Sequence, residues 1–220
     1  MGLTIKPVIR LAEDLKARLL GDIEARMRAE SEERLKQIHV SDLVYCLKKA
    51  FWRRQGYEEE FGERDLTVRG LGKGHHGFLE ALQGALREVE VERFGVVGTL
   101  DMLEDYPIEI KTTRQPVEAK SIPEHYLRQL AYYCLLTGRP KGYLIVFHVI
   151  TGSLQVFEVD YSDCLSNYEA EFQDRLRRLQ AALEANDPSL LEGSNYDWEC
   201  QHCGFRQLCA VSYTHLTLPT

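Results

Sequence analysis

The 220-residue chain lacks several things, and each lack closes off a class of protein. It has no run of about 18 apolar residues, so no membrane-spanning helix is expected. The first residues, Met-Gly-Leu-Thr-Ile-Lys, show neither the apolar centre nor the small-residue cleavage site of a secretory leader. Lys6 stands where a myristoylation signal places Ser or Thr, and the expectation is a cytoplasmic protein with no membrane partner. The full Walker pattern is missing, which excludes a built-in nucleotide-driven motor. An excess of basic charge is missing too: 27 Lys and Arg against 34 Asp and Glu leave a formal charge of −7. Dedicated nucleic-acid binders are usually basic, so the total argues mildly against one, while local clusters of either sign remain open.

What is present reads as an ordinary globular chain, with 44% hydrophobic and 28% charged residues, long enough for one sizeable core and a small appended unit. Six cysteines in such a chain read as metal ligands or core residues before disulfides.

The stretch from Gly98 to Lys111 carries the strongest chemical signal. Alternating residues run into the polar turn Glu104-Asp105-Tyr106-Pro107 and leave it as Ile108-Glu109-Ile110-Lys111, which predicts a β-hairpin. Strand side chains alternate faces, so Glu109 and Lys111 share one side and Ile108 and Ile110 the core side. A turn centred near Asp105 sets Asp101 opposite Glu109. Cross-strand neighbours lie ~4.5 to 5.5 Å apart, where two carboxylates repel unless a cation or proton intervenes. Hard oxygen ligands of this kind suit Mg²⁺ or Mn²⁺. Lys111 would then hold an attacking water and stabilise charge on a phosphodiester. Glu-x-Lys alone is common on exposed hairpins; its weight here comes from the Gly-x-x-Asp at hairpin distance.

Around this stretch, Val8 to Ile38 has the spacing of a solvated amphipathic helix with a break near Gly21. Ser41-Asp42 opens a helix from Leu43 to Arg54, where Cys46 precedes Lys48, Lys49, Arg53 and Arg54 interleaved with Phe51 and Trp52. Such a mixture can clasp phosphates and stack bases, or simply bury its aromatics. A glycine-rich entry from Arg69 to His76 leads into a further helix, and Val89 to Val97 reads as one strand. Pro123 starts a helix whose Gln129 and Tyr133 share a face. Tyr143 to Ile150 reads as a central strand buried on both faces, Thr151-Gly152-Ser153 as a hairpin turn, and Ser162 to Ala185 as a long charged helix. Cys134 and Cys164 read as structural thiols. Cys200, Cys203 and Cys209 form Cys-x₂-Cys-x₅-Cys, a metal signature one ligand short, for which Cys46 is the best fourth. His202 is the competing ligand if the metal is zinc. Residues 210–220 look unlike the rest and resemble a cloning remnant.

Gly98-x-x-Asp101 followed by Glu109-x-Lys111 resembles the core of the PD-(D/E)xK nucleases in their RecB-like branch, with Leu100 where the name-giving proline would stand. The resemblance implies a metal-binding imidazole at His76, or its neighbour His75, since Gly72 and His76 match the Gly-x-x-x-His of that branch. It also implies a Gln-x-x-x-Tyr motif at Gln129 and Tyr133 that holds the DNA backbone. The order Cys46, nuclease motifs, Cys200, Cys203, Cys209 is similar to that of the CRISPR-associated Cas-four nucleases, which implies an iron-sulfur cluster, 4Fe-4S or 2Fe-2S.

The fold class expected is α/β, a mixed central sheet flanked by helices, with the cluster joining N- and C-terminal segments. The segments are an N-terminal helical part over 1–65, a nuclease core over 66–185, a cysteine segment over 186–209 and the tail. The site expected is Asp101, Glu109 and Lys111 in catalysis and His76, Asp101, Glu109 and the Ile110 carbonyl on Mg or Mn. Gln129, Tyr133, Lys48, Lys49, Arg53 and Arg54 are expected on DNA. The implied activity is hydrolysis of single-stranded DNA from its ends, 5′ to 3′, with endonuclease action on circular strands, alongside a CRISPR adaptation integrase complex. A RecB-like module of a repair or replication complex, and a non-catalytic zinc-stabilised nucleic-acid binder, are the alternatives.

Overall fold

A computed structural model describes residues 13–83, 88–194 and 196–209, the side chains of 31, 33, 73 and 75–83 excepted. Helix α1 (Glu13–Arg34) runs unbroken through Gly21. The two-residue strand β1 (Ile38–His39) leads to α2 (Val40–Val44) and α3 (Leu47–Arg54). Where the sequence suggests one helix from Leu43, the chain starts helical at Val40 and breaks at Tyr45 and Cys46. Two distant side chains hold that break. Arg175 donates to the carbonyls of Leu43 and Tyr45 at the end of α2, and Glu199 accepts the Cys46 N–H at 2.8 Å ahead of α3. A cation at a helix C-terminus and an anion at an N-terminus satisfy orphan backbone groups and suit the helix dipole.

Helix α4 (Glu63–Gln83) passes straight through Gly70, Gly72 and Gly74, so the expected glycine-rich loop is helix. Each glycine costs ~1 kcal/mol relative to alanine there, which packing of α4 along α1 offsets; Ile23 lies 3.8 Å from the Cβ position of Gly70. The segment expected as one strand is the hairpin of β2 (Val89–Arg93) and β3 (Val96–Leu100). Phe94 and Gly95, at φ of 59° and 72°, make its two-residue turn.

Instead of one central sheet there are two mixed sheets. The first has the order β1-β3-β2, with β1 parallel and β2 antiparallel to β3. The second has the order β4-β5-β6-β7, built from β4 (Met102–Leu103), β5 (Pro107–Thr113), β6 (Lys141–His148) and β7 (Ser153–Asp160). Only β5 and β6 are parallel in it. Asp101 is the sole residue between β3 and β4, and therefore the point where the chain leaves one sheet for the other.

Helix α5 (Glu124–Thr137) connects β5 to β6, and every residue from Arg128 to Leu136 is buried, as befits a helix packed on all sides. It separates two cores. Tyr132, Tyr133, Leu135 and Leu136 join Phe51, Leu100 and Phe172, while Leu130, Ala131 and Cys134 join Leu144, Val146 and Tyr161. Two glycines admit it. A Cβ on Gly98 would meet Leu136 at 2.9 Å and Tyr133 at 3.2 Å, and one on Gly142 would meet Leu130 at 2.7 Å. Because α5 covers one face of the second sheet, β6 alternates between buried and half-buried residues, where the apolar run suggests burial on both sides. Helix α6 (Leu165–Ala185), a 3₁₀ turn (Pro188–Leu190) and α7 (Asp197–Gln201) follow, and apolar residues between 40 and 52 of the N-terminal part share the core of α5 and α6. No described helix is long and apolar enough to cross a membrane.

Gly98→Ala is expected to lower stability by ~1 to 3 kcal/mol, because neither Tyr133 nor Leu136 has room to retreat in a filled core. Gly21→Ala, on an exposed turn of α1 with nothing described within 4 Å, is expected to raise it by ~0.5 to 1 kcal/mol. Thermal unfolding followed by far-UV circular dichroism measures both, with opposite signs.

Candidate active site

The β4–β5 ladder pairs Met102 with Ile108 and Leu103 with Pro107, so one further step sets Asp101 opposite Glu109. The Glu104 N–H closes the turn on the Tyr106 carbonyl at 3.3 Å. Both acids are withdrawn from solvent, Asp101 at 8% exposure and Glu109 at 2%. An Asp101 carboxylate oxygen accepts the Ile110 N–H at 2.7 Å. Lys111 Nζ lies 2.5 Å from Glu109 Oε1 and donates to Gln129 Oε1 at 2.8 Å. Gln129 Nε2 donates to the Tyr133 hydroxyl at 2.9 Å, and that hydroxyl donates to the Thr99 carbonyl at 2.8 Å. A bonded line thus runs from β5 through α5 to β3. Strand alternation sets Glu109 and Lys111 on one face, and the four-residue helical interval sets Gln129 above Tyr133. This face is roofed by α5, while Ile108 and Ile110 pack with Met102, Tyr143 and Ile145 in a small core of their own.

Burial alone would push the Lys111 amine down, but Glu109 beside it, with Asp101 adding, holds it above the usual lysine range and charged. Burial pushes the Tyr133 phenol up and the same carboxylates push it further, so it stays a donor. Among the described residues, two carboxylates and one ammonium are brought together in a place poor in water. Mg²⁺ is commonly bound through one or two carboxylates plus water, so Asp101, Glu109 and the Ile110 carbonyl fit a hard divalent ion. Among the described residues no three His, Cys, Asp or Glu side chains are grouped to hold one ion. The side chains of His75 and His76, on the second half of α4, lie outside the described ones.

Cys46, Cys200, Cys203 and Cys209 line a single cavity of about 170 Å³, together with Lys48, Lys49 and Arg206. Glu199 ties its two arms across 153 positions, taking the Cys46 N–H on one oxygen and the Ser194 hydroxyl at 2.5 Å on the other. The loop carrying Cys203 sits so tightly on Glu60 that a Cβ on Gly204 would meet the Glu60 carbonyl at 2.2 Å. Burial pushes the Cys46 thiol up to about 11. His202 faces Asp65 at 3.6 Å and is not among the residues lining the cavity. Cys134 is buried in the core, its thiol donating to the Lys141 carbonyl at 3.3 Å.

The cations of α3 are already engaged. Lys49 and Arg53 pair with Glu59 at 2.9 and 2.8 Å, Arg54 pairs with Asp42 at 2.7 Å, and Lys48 is buried beside the cysteine cavity. With Arg69 at 3.0 Å as well, three cations overcome burial and hold the Glu59 carboxyl down at about 2. A group the sequence does not announce lies beside Lys111: the rings of Tyr45, His125, Tyr126, Tyr196 and Trp198, with the Tyr126 centroid 5.4 Å from Lys111 Nζ. They come from three segments, so no periodicity links them; the pairing of Cys46 with Cys200 is the signal that could have brought Tyr45 to Trp198.

The sequence profile of the PD-(D/E)XK nuclease superfamily matches residues 12–210. No curated protein matches the chain significantly. Among solved structures, the crystal structure of SSO0001 is 22% identical, covering 84% of this chain and 95% of its own, with a TM-score of 0.54. An alkaline exonuclease from Laribacter hongkongensis is 17% identical, covering 70% of this chain and 93% of its own, with a TM-score of 0.46. The first likeness shows a shared fold; the second is too distant to bear on it.

Burial, with Lys111 and Arg128 adding, lowers the His125 imidazole to about 4, whereas an unfolded histidine titrates near ~6.5. Between those values the unfolded chain takes a proton that the folded chain refuses, so stability falls as pH drops from about 6.5 towards 4. His125→Gln is expected to lose less of its melting temperature than the parent between pH 7 and pH 5, measured by calorimetry.

Proposed function

The chain belongs to the PD-(D/E)XK nuclease superfamily, and from that premise we propose that it is a metal-dependent DNA exonuclease acting on single strands. The observation that carries the proposal is the bonded line from Glu109 through Lys111, Gln129 and Tyr133 to Thr99, with Asp101 at its edge. Asp101, Glu109 and the Ile110 carbonyl, with His76 as a further ligand, would hold Mg²⁺ or Mn²⁺. When bound, such an ion polarises the phosphate and acidifies a water. Lys111 keeps its proton and offers an N–H to the attacking oxygen or to the charge growing on the phosphoryl oxygens as the leaving P–O bond breaks. Gln129 and Tyr133 fix the direction of that amine, so the donor need not reorganise during reaction.

We further propose that the four-cysteine cavity takes an iron-sulfur cluster with a structural role; the order of the motifs supports this, while in the structure the four thiols line one cavity without being gathered on a single point. Thiols arrayed around a cavity suit a polyatomic group, whereas zinc with Zn–S of ~2.3 Å draws its ligands to one point. Lys48 and Arg206, which line the same cavity, would offset part of the negative charge of four thiolates. The preference for single strands, the 5′ to 3′ direction and a place beside a CRISPR integrase are supported by the order of the motifs alone.

Glu109→Gln is expected to reduce cleavage of labelled single-stranded DNA in Mn²⁺ by at least about a hundredfold while strand binding persists. Cleavage of the same substrate by the variant at the parent rate would remove the nuclease reading. Protein purified without oxygen is expected to be brown, and Cys46→Ala to be colourless with a lower melting temperature; a colourless parent carrying zinc would support the zinc-stabilised alternative.

A further inference from the structure

The rings beside Lys111 take no part in the chemistry just described. His125 lies 5.4 Å from Trp198 and 4.6 Å from Tyr126, and Tyr45 lies 6.3 Å from Trp198. Tyr196 stacks on Trp198 with a 24° angle between planes. His125, Tyr196 and Trp198 belong to none of the three apolar cores among the described residues. Trp198, the outermost, leaves 44% of its surface exposed. One end of the cluster reaches the reaction centre through Tyr126, over whose ring Lys111 Nζ sits. The other end opens on a groove of about 420 Å³, lined by Tyr45 and Trp198 together with Lys49, Arg53 and Arg69. Ser41, Asp42, Arg53 and Arg69 line both that groove and a second of about 350 Å³ beside it.

We propose that His125 and Trp198, backed by Tyr45 at the edge of the first core, form a stacking wall for the unpaired bases of the substrate strand, leading its phosphates to Lys111. The proposal rests on the nuclease reading of the site. Every base offers a π-face to an aromatic ring, so such a wall tolerates any sequence, and a duplex hides those faces within its own stack. The wall therefore selects unpaired strands by base exposure. It does not depend on Lys49, Arg53 and Arg54 of α3, which Glu59 and Asp42 already hold.

The test uses Glu109→Gln protein, so that bound strands survive, with Trp52→Phe added to leave Trp198 as the one tryptophan of the two in the chain. An oligothymidylate is compared with an abasic strand of the same length. Thymine is expected to quench Trp198 emission and the abasic strand to leave it unchanged. Trp198→Ala is expected to weaken oligothymidylate binding about tenfold and abasic binding less than twofold, with Trp198→Phe restoring most of the difference. Equal binding of the two strands, or an equal loss for both in Trp198→Ala, overturns the wall and leaves the rings as a cover for the cysteine arm. His125→Ala, read the same way, decides the matter if Trp198→Ala does not fold. Failure here with cleavage still dependent on Glu109 refutes the wall alone; cleavage independent of Glu109 refutes the nuclease reading itself.

Discussion

A carboxylate almost wholly removed from water, with an ammonium 2.5 Å away, is the constraint on which the remainder of this structure depends. Desolvating such a pair costs more than its mutual attraction returns unless every remaining donor and acceptor is met. Here the fold meets them in series, the amine by Gln129, the amide by Tyr133 and the phenol by a β3 carbonyl. The links come from three elements, β5, α5 and β3, so both sheets and α5 must be in place before the charges can be. The Asp101 carboxylate, anchored on the Ile110 N–H, adds a second negative group to the same neighbourhood. Two carboxylates held this close together and this far from water are poor as a stabilising device.

The helix break at Tyr45 and Cys46 does a similar service for the chain's two arms. Arg175 and Glu199 finish α2 and start α3, and in doing so they bring Cys46 to Cys200, Cys203 and Cys209 and Tyr45 to Trp198. One pair of caps therefore places both the cysteine-lined cavity and an aromatic surface at the flank of the β4–β5 hairpin. The N-terminal part is bound to the rest by this junction and by a shared core with α5 and α6.

Much of the hairpin was legible because its signals are local: the alternation around Glu109 and the turn at Asp105 are set within a dozen residues, and the structure shows that turn and register. The spacing of Gln129 and Tyr133 was legible for the same reason. Tertiary demands erased other signals. The glycines near His76 read as a loop, yet packing along α1 keeps α4 helical. The apolar run of β6 reads as doubly buried, though α5 covers one face only. The ion pairs that occupy Arg53 and Arg54 depend on Glu59 and Asp42 arriving from outside α3, which composition cannot reveal. Two sheets in place of one follow from the single-residue crossing at Asp101, a feature with no signature in hydropathy.

That crossing gives the Gly-x-x-Asp interval a meaning of its own. Gly98 marks the spot where a tyrosine ring slides over β3, and Asp101 the spot where the chain changes sheet. At ~3.3 Å per residue the gap between them is ~10 Å of extended backbone. The motif is in effect a ruler: adding or removing one residue would flip the acid to the opposite side of the strand, whatever the chemistry of the residues gained or lost.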